Sequence, residues 1–112
     1  MLNKPAIADT LIGQFSAHFN TSPTVLSWAP GRINIIGEHT DYNDGLALPA
    51  AINRYVAMAI APRDDDKIVF RSENYSETFE IEIENLGNLK PENSWHRYVV
   101  GSLCISKDLG CK

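Results

Sequence analysis

Two cysteines, Cys104 and Cys111, are all the chain has, and no second histidine or cysteine stands near them at metal-ligand spacing. That scarcity argues against a disulfide or a metal site and reads as two buried or incidental thiols of a cytoplasmic protein. Positive charge is short too. Ten Lys and Arg against fourteen Asp and Glu leave a net charge of −4. No basic stripe is available to displace counterions from nucleic acid or to dock on an acidic membrane. No apolar run is long enough to span a bilayer. The start of the chain, with Lys4, Pro5 and Asp9 and no apolar centre, is not a secretory signal. Internal repeats and low-complexity segments are missing as well. What remains is an ordinary globular composition, 44% hydrophobic and 21% charged over 112 residues, enough for one small domain with a core.

The periodicities predict an α+β layout. Residues 5–19 form an amphipathic helix: Pro5 suits a first helical position, and Ile7, Leu11, Phe15 and Phe19, widened by Ile12, recur on one side. Asn20 can close it in a left-handed conformation, and His18 lies outside the stripe as a solvated residue. Strands are expected at 24–28 and 32–36, separated by a break or bulge at Pro30-Gly31, and again at 46–48 up to Pro49. From Arg54 on, Val56, Met58 and Ile60 alternate with Tyr55, Ala57 and Ala59, and the small alanines mark a face that something packs against closely. A strand at 67–71 follows the Asp64-Asp65-Asp66 turn. Residues 78–84 alternate strictly, with Phe79, Ile81 and Ile83 inward and Glu80, Glu82 and Glu84 on a solvated face. After a loop over 85–93, Ser94 caps a last helix carrying Trp95, Val99 and Leu103, with Gly110 as its stop. A mixed or antiparallel sheet with flanking helices accounts for this order.

The rest of the chain is support for residues 29–52, APGRINIIGEHTDYNDGLALPAAI. An arginine, a glutamate, a histidine and two aspartates crowd between Arg32 and Asp44, with apolar runs on either side. A polar loop held between two strands that enter a core is held still, and such loops bind ligands. Asn43-Asp44-Gly45 is a turn signal, with Gly45 free to take a positive φ. Glu38 and Asp41 offer carboxylate acceptors, His39 can donate or accept, and Arg32 is a fixed, forked cation. Acceptors with one adaptable donor suit a ligand covered in hydroxyl groups, such as a sugar; Arg32 suits a phosphate or another carboxylate. A calcium loop counted from Asp41 fails, since its fifth position is Gly45 and its twelfth is Ile52. A zinc-protease helix fails because Glu38-His39 has no second histidine nearby. Glu38 and Asp41 within one tight loop have no reason to face each other across a glycosidic bond.

Taken together, Gly31-Arg32-Ile33-Asn34-Ile35-Ile36-Gly37-Glu38-His39-Thr40-Asp41-Tyr42-Asn43, then Gly45 and Leu48-Pro49-Ala50-Ala51-Ile52, resembles the galactokinase signature within the GHMP sugar and metabolite kinases. Phe70-Arg71-Ser72-Glu73-Asn74 and Trp95-His96-Arg97-Tyr98-Val99-Val100-Gly101 continue the likeness. The resemblance implies a GHMP-kinase N-terminal domain of the ribosomal protein S5 domain 2-like type. It implies transfer of a phosphoryl group from ATP, with Mg2+, to the anomeric hydroxyl of galactose, giving galactose 1-phosphate. Glu38, His39, Thr40 and Asp41 fall on its sugar-binding positions, and Arg32 on the arginine that stabilises charge on the transferring phosphoryl. Ser72, Trp95 and Tyr98 match positions lining the nucleotide, although Trp95 serves equally well as an aromatic anchor for the last helix.

The family's Pro-x-Gly-x-Gly-Leu-Ser-Ser-Ser phosphate loop, its magnesium carboxylate, its catalytic aspartate and its C-terminal glycine-rich motif match nothing in residues 1–112. The resemblance therefore implies that the chain is the N-terminal portion of a galactokinase, with part of the sugar site, no metal ligand and no catalytic base, and that it is inactive alone. A non-catalytic galactose-sensing module and an N-acetylgalactosamine kinase are the other readings. A fragment with an uncovered sheet would also favour a homodimer.

Overall fold

The computed structural model describes residues 4–88 and 95–110, with the backbone alone for Asp41. The elements run α1 (Ala6–Phe19), β1 (Val25–Ile36), a 3-10 turn (Asp41–Asn43), β2 (Leu48–Ile60), β3 (Lys67–Ser72), β4 (Glu77–Glu82), a second 3-10 turn (Ile83–Asn88) and α2 (His96–Asp108). This is the expected α+β mixture. Both sheets are antiparallel pairs, β1 with β2 and β3 with β4. The chain divides into two compact units, Met1–Pro62 and Arg63–Lys112. Among the described residues no helix is long and apolar enough to cross a membrane.

In the first unit α1 starts after Pro5, whose fixed φ of −75° is already close to helical. It ends at Asn20, which adopts φ 54° and donates its N–H to Ser16 O at 3.0 Å, the left-handed cap its sequence predicts. Near its start Lys4 pairs with Asp9. The buried face of α1 is turned from the expected stripe: Ala8 is fully buried, while Ile7 is 48% exposed. Leu11, Ile12, Phe15 and Phe19 are half-buried as expected. The helix packs on β2 and β1, and on those strands Leu26, Trp28, Tyr55, Ala57 and Ala59 are the half-buried residues. Ala8, small as it is, is the residue of α1 that is fully buried. The alternate residues Val25, Val56, Met58 and Ile60 are exposed.

β1 and β2 form one long ribbon. The predicted irregularity at Pro30-Gly31 is there: Pro30 pairs with Tyr55 but Gly31 with Ile52, which leaves Asn53 and Arg54 as extra residues on β2. Proline has no N–H for the ladder, and Gly31 lies where an added Cβ would come 3.2 Å from Ile52 Cγ1, so the pair breaks and resumes closely packed. A second shift, between Asn34 and Ile36, makes Ile35 the extra residue on β1 just before the loop. The return strand differs from expectation, since it begins at Leu48 and runs without interruption through Pro49 to Ile60. Pro49 is only its second residue, opposite Asn34, where a missing donor costs little.

The second unit has its own core, in which Ile81, Leu86 and Val100 are buried and Ile68, Phe70, Phe79, Leu103 and Cys104 pack against them. Alternation holds along β4 for Phe79 and Ile81 but not for Ile83, which opens the second 3-10 turn and is 38% exposed. That turn delivers Leu86 to the core, 4% exposed, in a stretch the sequence assigns to loop. Cys104 is half-buried and its Sγ donates to Leu86 O at 3.3 Å, consistent with a quiet core thiol. The expected N-cap Ser94 and the second cysteine, Cys111, lie outside the described residues. Gly110 takes φ 80° just past α2, where the sequence places the stop.

The glutamate face of β4 is an ion-pair ladder. Lys67 Nζ lies 2.6 Å from Glu80 Oε1 and 3.6 Å from Glu82 Oε1. The hydrogen bond to Glu80, followed by the charges of Glu80 and Glu82, raises the Lys67 pKa. A raised folded-state pKa means stability that is complete below the unfolded value of about 10.4 and lost as pH climbs through the folded one. We expect Glu80→Gln to move the Lys67 titration, followed by 13C NMR of the Cε, toward the ordinary lysine value. An unmoved midpoint contradicts the pairing.

Candidate functional site: the loop between the first two strands

The loop joining β1 to β2 is closed by its own backbone. Gly37 turns the chain at φ 98°. The Thr40 hydroxyl is shared between two carbonyls, Gly37 O at 2.6 Å and Leu46 O at 3.0 Å, so it ties the entry of the loop to its exit. Thr40 O in turn accepts from Asn43 N–H at 3.0 Å and Gly45 N–H at 2.8 Å, which closes the 3-10 turn. The Asn43 side chain donates from Nδ2 to His39 O at 2.8 Å. The positive φ expected at Gly45 belongs to Asp44, at 56°, and a second falls on His39, at 60°. Asp tolerates the left-handed region through its short polar side chain. Gly45 is needed for room instead: a Cβ there would sit 2.8 Å from Thr40 Cβ.

Against this frame the outward groups can be placed. Glu38 and His39 are exposed, and Thr40 is half-buried beneath them. The backbone of Asp41 starts the 3-10 turn. His39 Nδ1 is hydrogen-bonded to the Tyr42 hydroxyl, with the two rings edge to face at 5.8 Å and 75°. Arg32 stands on β1 opposite Ala51, exposed. Among the described residues, no ion pair or side-chain hydrogen bond engages the Arg32 guanidinium or the Glu38 carboxylate, so a forked cation and an acceptor pair are both available to a ligand. Tyr42 and Asn43 were missed as partners of His39 by sequence reasoning. Their spacing of three and four residues from it was the available signal, because a single helical turn brings such positions together.

Residues 13–62 match the family model described as the galactokinase galactose-binding signature, and the loop lies within that span. The chain is 55% identical over 83 residues to a galactokinase of Thermotoga petrophila, covering 73% of this chain and 21% of that one. It is 42% identical over 99 residues to a galactokinase of Staphylococcus carnosus, covering 87% of this chain and 25% of that one. The crystal structure of Lactococcus lactis galactokinase complexed with galactose superimposes on 96% of this chain and 28% of its own length, with a TM-score of 0.74 and 30% identity. This chain belongs to the galactokinase family. It spans about a fifth to a quarter of the length of the curated relatives it matches, at their N-terminal end.

The three residues that galactokinase resemblance places toward a nucleotide all lie in the second unit. Ser72 ends β3, paired with Glu77. Trp95 precedes α2; its Nε1 donates to Glu77 Oε2 at 2.7 Å, its ring stacks on Tyr75 at 6.0 Å and 11°, and it meets Phe70 edge to face at 5.6 Å. Tyr98 is 70% exposed on the first turn of α2 and accepts from Arg97 at 3.1 Å, a bond that lowers its pKa below the ordinary phenol value.

Proposed function

We propose that this chain is the sugar-binding N-terminal part of a galactokinase, whose whole reaction transfers a phosphoryl group from MgATP to the anomeric hydroxyl of galactose. The observation that carries the proposal is the loop over residues 37–46. Its own hydrogen bonds fix it, while Glu38 and His39 project outward from the stretch that matches the galactose-binding signature. In this reading Glu38, His39 and Asp41 take the sugar hydroxyls. Thr40 acts chiefly by holding the loop shut, and Arg32 meets negative charge on the transferring phosphoryl.

The residues present do not fit MgATP by themselves. Among the described residues no three His, Cys, Asp or Glu side chains converge to hold a metal ion. The glycine-serine phosphate loop of the family has no counterpart in the sequence. Ser72, Trp95 and Tyr98 can supply edge contacts to a nucleotide but no cradle for its phosphates. Phosphoryl transfer depends almost wholly on positioning and charge stabilisation, so the chain alone is expected to be inactive.

The test is a galactose titration of the full chain followed by amide NMR, beside a coupled assay for ADP. We expect millimolar galactose to shift the amides of residues 37–46 and Glu38→Ala to remove that response. ADP release should be the same in both proteins. Turnover above the Glu38→Ala control would contradict the inactivity, and a galactose response surviving Glu38→Ala would contradict the site. Micromolar binding without turnover would favour a sensing module, and a stronger response to N-acetylgalactosamine would change the sugar.

A further inference from the structure

We infer that Tyr42 is a positioning residue that fixes His39 as a hydrogen-bond donor toward the sugar, an inference that rests on the sugar-binding reading of the loop. Alone, a neutral imidazole leaves open which nitrogen carries the proton. Here Nδ1 is taken by the Tyr42 hydroxyl. In that pair the phenol is the better donor and the imidazole nitrogen the better acceptor, since the phenol oxygen shares its lone pair with its ring. The O–H therefore donates to Nδ1, and the proton of the neutral ring resides on Nε2. The orientation is set as well: His39 holds a left-handed backbone at φ 60°, and its carbonyl is clamped by Asn43 Nδ2 at 2.8 Å. The ring thus has its backbone, its carbonyl and one of its two nitrogens fixed from within the loop. Nε2–H is what it has left to offer.

The chemistry of the neighbours makes that proton useful. An ionised carboxylate only accepts, so a loop offering carboxylates alone, such as that of Glu38, could satisfy a polyol's O–H groups but none of their oxygen lone pairs. An Nε2–H donor on the next residue completes the match, taking the lone pair of a hydroxyl whose own proton goes to a carboxylate. The opposite tautomer would set an acceptor beside acceptors and leave that oxygen unserved. Tyr42 is 69% exposed, so the hydroxyl can be removed without opening a core.

The experiment compares the full-length chain with Tyr42→Phe at a pH of about 8.5, where an ordinary imidazole is neutral. Long-range 1H–15N correlation reads the His39 tautomer, and a galactose titration reads affinity. We expect wild type to hold the Nε2–H form, Tyr42→Phe to mix in the Nδ1–H form, and galactose to bind about fivefold more weakly, as for one lost neutral hydrogen bond. An Nδ1–H form in wild type, or the same tautomer in both proteins, overturns the inference even where galactose binds, and leaves the sugar reading intact. A shifted tautomer with unchanged affinity overturns it as well. If Tyr42→Phe shifts the tautomer but wild type shows no galactose response, the sugar reading fails and takes the role of Nε2–H with it.

Discussion

Gly37→Ala is expected to cost the chain about 2–4 kcal/mol of stability, the combined effect of a forced positive φ and a backbone overlap. At φ 98° an L side chain is strained whatever the space around it. Here there is no space either: a Cβ would lie 2.5 Å from Leu46 O and 2.6 Å from Ala47 Cα, both backbone atoms that cannot swing aside. Relief requires parting residue 37 from residues 46 and 47, which pulls Leu46 O away from the Thr40 hydroxyl. The lesion therefore falls first on the loop. In hydrogen exchange the Gly45 amide, bonded to Thr40 O at 2.8 Å, should lose protection before the β1–β2 ladder does. Urea denaturation of the variant within about 0.5 kcal/mol of wild type, or an unchanged Gly45 amide, would show that the loop is not closed in this way.

In the second unit the largest effect is expected at Leu86. Leu86→Ala removes a side chain that is 4% exposed and shares its core with Ile81 and Val100, at a cost of about 2.5–4 kcal/mol. Ile83→Ala is the control. A strict two-residue period puts Ile83 inward and the following loop outside, whereas its 38% exposure predicts a loss under about 1 kcal/mol. Trp95 fluorescence follows unfolding locally, because the indole touches Phe70 and Phe70 packs on that core. Equal costs for the two substitutions would mean that β4 continues past Glu82.

That contrast shows what the sequence carried and what it did not. Period-based reasoning found α1, the β2 alternation and the start of β4, because in each a run of side chains repeats against one neighbouring surface. It failed where the backbone changes its period inside an apolar run, at Ile83, since nothing in Glu82-Ile83-Glu84 announces a 3-10 turn. On α1 the recurrence found Leu11, Ile12, Phe15 and Phe19, which are half-buried, but it counted Ile7 in the stripe and passed over Ala8, the residue of that helix that is buried. Pro49 was read as a strand end; near the start of an edge strand a missing donor is tolerated. Of the loop, the residue types and their chemistry were legible in the string. The internal ties were not: the Thr40 hydroxyl bridging residues 37 and 46, and the pairing of Tyr42 with His39, depend on left-handed residues at His39 and Asp44 that composition does not announce.

The ties that close the loop run to main-chain carbonyls, at Gly37, His39, Thr40 and Leu46, and none of them uses the Glu38 carboxylate. Frame and cargo are thereby separate. Mutation can exchange the groups displayed at position 38, or retune the pair at 39 and 42, without undoing the knot that presents them. What the loop displays can therefore change in single steps while the hydrogen bonds that close it stay in place.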